Sequence, residues 1–208
     1  MTWRFHHGWG FDRDMWGPLM AALGVTGETE DRGYYGPARL PDPLCRGAIG
    51  VGHSLGGVRM LAEAAPEMRA MIVINGFDRF SAAPDHPGVP GRVLGAMIRR
   101  CAADPAATAR DFRARCGEDR PLPGAPTSRL SEDLCLLRDA DRRGQPAAVP
   151  LLVLHGARDP ILGDAHRAAG FTLRPHDAAT HPEAGHLLPL SHPDWCAARI
   201  ADFLAGIA

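Results

Sequence analysis

Ser54 stands between two glycines, in a stretch that can activate a hydroxyl. Ile49-Gly50-Val51-Gly52-His53-Ser54-Leu55-Gly56-Gly57 runs from a small apolar segment into Gly-x-Ser-x-Gly and straight on into a helical pattern. In that setting the serine sits on a strand-to-helix turn too tight for side chains two residues to either side, hence Gly52 and Gly56. The turn lifts the hydroxyl clear of the sheet at a helix N-terminus, where backbone N–H groups are free to face a substrate. The plain alternative is a glycine-rich turn with an incidental serine.

A hydroxyl is a weak nucleophile at neutral pH and needs a base. Ten histidines compete for that role. His186, in Glu183-Ala184-Gly185-His186-Leu187-Leu188, follows the last strand-like segment and precedes the final helical one. Gly185 lets that loop swing the imidazole over the serine. His181 is the nearest rival, and an ordinary loop histidine is the alternative reading of His186. His53 adjoins the serine, but neighbouring side chains on a turn diverge.

The base needs an acid to fix its tautomer and stabilise the imidazolium. Asp159 follows the apolar run Leu152-Val153-Leu154, and Asp164 lies close by; capping a turn is the alternative for either. Asp159 is preferred because serine, acid and base then each follow their own strand in the order Ser…Asp…His. Two oxyanion donors complete the chemistry of acyl transfer: the Leu55 N–H, and the Trp9 N–H in His7-Gly8-Trp9-Gly10. Trp9, Leu55 and Phe77 are the substrate-binding candidates, with simple packing as the alternative for Trp9. This chemistry requires no metal and no cofactor.

The elements that must hold these loops alternate along the chain. Strand-like runs fall at Thr2–His6, weakly before Gly33, at Ala48–Val51, Met71–Ile74, Leu151–Leu154, and between Phe171 and Thr180. Helical patterns cover Arg13–Leu23 with Asp12 as N-cap, Leu55–Ala64 and Pro193–Leu204. The alternation predicts a mostly parallel sheet of about six strands flanked by helices. It breaks from Phe77 onward, where a Pro/Gly-rich loop leads into three arginine-bearing helical stretches near Arg92–Ala102, Ala106–Cys116 and Ser128–Arg143. We read 77–146 as a helical cap inserted into a core formed by 1–76 and 147–208. The cap would lie over the carboxyl ends of the strands, where open α/β sheets bind ligands.

Composition excludes several classes. The chain has 208 residues, 45% of them hydrophobic and 23% charged, enough for one domain with a real core. A net charge of −1 does not suit a nucleic-acid binder. Apolar runs are too short to cross a membrane, and the first residues lack a secretory pattern, so a cytoplasmic protein is expected. Five scattered cysteines (Cys45, Cys101, Cys116, Cys135, Cys196) read as small buried hydrophobes, without a disulfide framework or metal spacing.

Together these residues resemble the α/β-hydrolase superfamily. His7-Gly8-Trp9-Gly10 with Trp16 downstream, then Gly52-His53-Ser54-Leu55-Gly56-Gly57, are similar to the esterases that cleave pimeloyl-acyl-carrier-protein methyl ester in biotin synthesis. Ile74-Asn75-Gly76, the stretch around Gly88-Val89-Pro90, and Asp111-Phe112-Arg113-Ala114-Arg115-Cys116-Gly117 resemble segments of that group. The resemblance implies a carboxylesterase acting on a methyl-capped diacid presented by acyl carrier protein. Carrier proteins are acidic, and an arginine-rich cap would attract one. Arg92, Arg99, Arg100, Arg113 and Arg115 are the candidate contacts, a solvated helix face being the alternative. Rival functions are a general small-ester carboxylesterase or thioesterase on free substrates, a non-catalytic ligand receptor on the same fold, and a lyase reusing the three residues.

Two departures from the family pattern are expected. The sequence starts at what is usually the third strand, so an N-terminal hairpin would be missing. Only about twelve residues, with Pro37, Pro41 and Pro43 among them, separate Tyr35 from Ala48. That is short for a parallel crossover, and the prolines forbid a full helix. A sheet-covering helix is then absent there, and a homodimer or a folded-back loop is expected to shield the surface.

Overall fold

Strict alternation of side chains along the strands sets the architecture of this computed structural model, which describes residues 2–40, 42, 46–144 and 149–207. Six strands form one sheet in the order β2-β1-β3-β4-β5-β6: β1 (Trp3–His6), β2 (Glu28–Thr29), β3 (Ile49–His53), β4 (Ala70–Ile74), β5 (Leu151–Gly156) and β6 (Asp177–His181). Every pairing between them is parallel; Val51, for example, lies between Phe5 and Ile72. The expected strands thus all form, within a few residues of their expected ends. Central β3 and β4 are buried on both faces, as parallel sheets require.

One face is covered by α1 (Gly17–Leu23) and α8 (Pro193–Gly206). There Trp3, Phe5, Val51, Ile72 and Leu154 pack with Trp16, Leu19, Ile200 and Phe203. On the other face α2 (Leu55–Glu63) lays Met60 and Leu61 over Met71, Val73, Leu151 and Val153. The expected helix from Arg13 opens as a 3-10 turn, Arg13–Trp16, capped by Asp12 and tightened ahead of Pro18. Two short helices, α6 (Asp164–Ala169) and α7 (Leu188–Ser191), were not legible in the sequence pattern.

Between β4 and β5 come α3 (Gly91–Ala103), α4 (Pro105–Arg115) and α5 (Arg129–Asp139). The third is shorter than the expected Ser128–Arg143. Ala140 turns extended, and Asp141 pairs as an antiparallel bridge with Arg79. A third apolar cluster joins these helices to the strand ends: Trp9, Leu55 and Phe77 pack with Leu94, Ala109, Leu130, Leu134 and Leu162.

No helix forms between Thr29 and Ile49 among the described residues; Pro41, Pro43 and Cys45, like the 146/147 boundary of the insertion, lie outside them. The chain doubles back instead, and Asp31 and Arg39 exchange two backbone hydrogen bonds of 2.8 Å. Beneath that loop the α2 side of β1 is charged: Arg4 pairs with Glu28, Glu30 pairs with Arg59 of α2, and His6 Nδ1 lies 2.7 Å from a Glu30 oxygen. Arg4, His6 and Glu30 are all buried. An ion network therefore lies on this face of β1, beneath the doubled-back loop.

Candidate active site

The sharp turn after β3 carries Ser54 at φ 52° and ψ −121°, a left-handed backbone that a non-glycine residue adopts only when its surroundings enforce it. Gly52 and Gly56 make the turn possible. A Cβ on Gly52 would sit 2.6 Å from the Gly57 backbone, and one on Gly56 would overlap the His6 carbonyl. The Leu55 N–H is the first of α2 and has no acceptor within the helix, so it remains free to donate beside the serine.

Asp159 and His186 meet although their loops follow different strands. His186 Nδ1 donates to Asp159 Oδ2 at 2.8 Å, with both side chains fully buried. The other carboxylate oxygen accepts the N–H groups of Ile161 and Leu162, at 2.7 and 3.1 Å. Burial alone would raise the Asp159 pKa. The His186 contact, the Asn75 amide and the Ile161 N–H outweigh it and hold the pKa at about 2. The acid is therefore ionised and accepts from Nδ1 of His186, which leaves Nε2 as the ring nitrogen that the acid does not engage. That nitrogen is buried and carries no hydrogen bond in this geometry, the Ser54 hydroxyl included. Such contacts commonly close only once substrate is bound.

The rivals fall elsewhere. His181 Nδ1 accepts the N–H groups of Glu183 and Ala184, and its ring packs on His192 and Trp195. Asp164 starts α6 and pairs with Arg167 on the surface. His53 points away from the reacting side, yet it has a job: its Nε2 donates to the His186 carbonyl at 2.9 Å, and its ring lies 4.9 Å from that of His186. Burial, reinforced by His186, lowers its pKa to about 3 and keeps it neutral.

The loop after β1 is fixed just as closely. His7 Nε2 lies 2.9 Å from the Arg32 N–H, which can only donate, so Nδ1 carries the proton and gives it to the Gly8 carbonyl at 2.9 Å. Burial lowers the His7 pKa, in keeping with that neutral tautomer. In a trans peptide the Gly8 C=O and the Trp9 N–H point in opposite directions. The bond to the Gly8 carbonyl therefore fixes the orientation of the Trp9 N–H as well. The Trp9 indole is tied down separately, donating to the Leu130 carbonyl at 2.8 Å.

Asn75 is the residue that pattern reading missed. Directly after β4, at φ 46°, its Nδ2 donates to Asp159 Oδ2 at 2.6 Å and to the Gly185 carbonyl at 3.0 Å. An Asn-Gly pair at a strand end was the available signal, since asparagine tolerates left-handed backbone. Phe77 is buried beside Leu55 in the apolar cluster.

The arginines of α3 and α4 divide. Arg92, Arg99, Arg100 and Arg115 are exposed, Arg100 paired with Asp111 and Arg115 donating to the Pro160 carbonyl. Arg113 is not a surface group: it is 5% exposed, lies 5.0 Å over the Phe11 ring and donates to the Gly10 carbonyl at 3.1 Å. Its helix register turns it inward onto the loop after β1.

No family model matches the chain. Among curated proteins it is 30% identical to the pimeloyl-acyl-carrier-protein methyl ester esterase of Stenotrophomonas maltophilia, over 97% of this chain and 92% of the relative. It is 31% identical to the protein of that name from Aromatoleum aromaticum, over 96% of each. Among solved structures, an esterase from Exiguobacterium antarcticum superposes with a TM-score of 0.79 at 16% identity, covering 99% of this chain and 92% of that one. The enol-lactonase of Burkholderia xenovorans gives 0.72 at 18%, covering 98% and 91%. At those identities the structural likeness speaks for the fold alone.

Proposed function

This chain belongs to the pimeloyl-acyl-carrier-protein methyl ester esterase family of α/β-hydrolases, and from that premise we propose that it hydrolyses the methyl ester of a carrier-bound pimeloyl group. In this reading Ser54 attacks the ester carbonyl while His186 Nε2 takes its proton, and the Leu55 and Trp9 amides hold the oxyanion. His186 then protonates the departing methanol, and water activated by the same nitrogen frees the acid. Residues 77–146 act as the cap on a core of 1–76 and 147–208. Arg92, Arg99, Arg100 and Arg115 meet the acidic carrier, and the reaction takes place in the cytoplasm.

The observation that carries the proposal is the 2.8 Å contact between Asp159 and His186, two loops away from a serine held in left-handed backbone. The deciding experiment supplies pimeloyl-acyl-carrier-protein methyl ester and measures released methanol. Wild type should turn over, and Ser54→Ala should lose at least about 10⁴-fold in kcat. Equal kcat/KM on free dimethyl pimelate, unchanged when Arg92 and Arg99 are neutralised, would move the reading to a general small-ester carboxylesterase.

A further inference from the structure

The reacting centre is closed: Ser54 is 5% exposed and His186 is wholly buried. An acyl group can reach the hydroxyl only if something moves. Besides a cleft beside Gly185 and Leu187, a surface cleft comes up against that closure between α3 and α4. It holds about 190 Å³ and is lined by Met97, Arg100, Thr108, Asp111, Phe112 and Arg115.

Phe112 is the lining residue that also faces inward. Its ring stands edge-on to the His186 imidazole at 6.3 Å, to the Trp9 indole at 5.0 Å and to Phe11 at 6.4 Å. A Cβ on Gly10 would lie 3.4 Å from the same ring. One phenyl group thus separates the cleft from both the base and the loop that supplies the second oxyanion donor. Swinging it aside breaks edge-on ring contacts but no hydrogen bond and no ion pair. Moving a backbone segment of the loops instead would break the bonds that hold Gly8, Gly10 and Asp159.

The cleft also has the polarity that a chain on an anionic carrier needs. Met97 and Phe112 offer apolar surface, with Arg115 at the rim and Arg100 there paired with Asp111, a net excess of one positive charge. We propose that Phe112 is the gate through which the acyl chain passes to Ser54, and that its ring admits unbranched chains and turns away branched ones. This rests on the esterase reading above and adds to it the route and the residue that selects chain width.

The test needs no carrier protein. Phe112→Ala, Phe112→Leu and Phe112→Trp would be compared with wild type in two measurements. One is the rate at which diisopropyl fluorophosphate labels Ser54. The other is the kcat/KM ratio between p-nitrophenyl 2,2-dimethylbutanoate and p-nitrophenyl hexanoate. Thermal melting confirms that each variant is folded, and the leucine variant stands in if the alanine one is not. Opening the gate should raise the branched-to-unbranched ratio about tenfold and quicken labelling; tryptophan should lower both. Labelling at the wild-type rate in every folded variant, with an unchanged ratio, would overturn the gate while leaving the hydrolase intact. So would slowed labelling in Leu187→Trp alone, which blocks the cleft beside Gly185. A wild-type Ser54 that the reagent never labels would remove the esterase reading and the gate with it.

Discussion

The side-chain amide of Asn75 lies 2.6 Å from Asp159 Oδ2, the same oxygen that receives the His186 imidazole at 2.8 Å. The amide also reaches the Gly185 carbonyl, so one residue at the end of β4 fixes the acid and the backbone that carries the base. Asn75→Gly keeps the left-handed backbone and removes only the amide. A hydrogen bond to a charged group is worth about 1.5–3 kcal/mol, so kcat should fall by roughly 10- to 100-fold with KM little changed. The Asp159 carboxylate loses a donor, so its pKa rises from about 2. A variant with wild-type kcat would show that the carboxylate does not depend on Asn75.

His7 orients the Trp9 amide through the other side of the same peptide unit. His7→Ala takes away the donor to the Gly8 carbonyl and the acceptor of the Arg32 N–H. Loss of an oxyanion donor costs about 3 kcal/mol of barrier. A fall in kcat towards 100-fold is expected, with substrate affinity preserved. Steady-state kinetics on a short p-nitrophenyl ester reads this directly, and a change confined to KM would count against it.

Arg113 should behave unlike its exposed neighbours. Arg113→Ala removes one of two donors to the Gly10 carbonyl, the Tyr35 hydroxyl being the other, and takes the cation from Phe11, so a stability loss of about 2 kcal/mol is expected. Arg92→Ala with Arg99→Ala should leave the melting temperature in place and raise KM only for carrier-bound ester, with a shallower response to salt. The reverse pattern in calorimetry and kinetics would contradict the buried placement of Arg113.

Acid should loosen the face beneath the Asp31–Arg39 loop. Burial alone would raise the Glu30 pKa, but His6 and Arg59 hold it at about 2, below the ordinary 4.5. A depressed carboxylate adds stability that is complete above pH 4.5 and vanishes as pH falls through 2, on the order of 3 kcal/mol here. Glu30→Gln should be less stable at neutral pH and show a shallower decline between pH 4.5 and 2. Urea titrations at several pH values measure both; parallel curves would remove Glu30 from the acid response.

The sequence by itself determined what local geometry demands. Gly-x-Ser-x-Gly after an apolar strand can hardly be anything but a tight strand-to-helix turn, because the glycines are needed where other side chains would overlap. Short apolar runs alternating with helical patterns pointed to about six parallel strands, and the loop positions of Asp159 and His186 followed from the strands before them. Tertiary structure decided whatever depends on partners distant in the chain. Asn75 meets Asp159 and Gly185 across 84 and 110 residues, and Arg113 meets Gly10 across 103. No local periodicity encodes those meetings, because they arise where the carboxyl ends of separate strands converge. The same convergence turned Arg113 from a surface charge into a buried brace and set the Phe112 ring against His186.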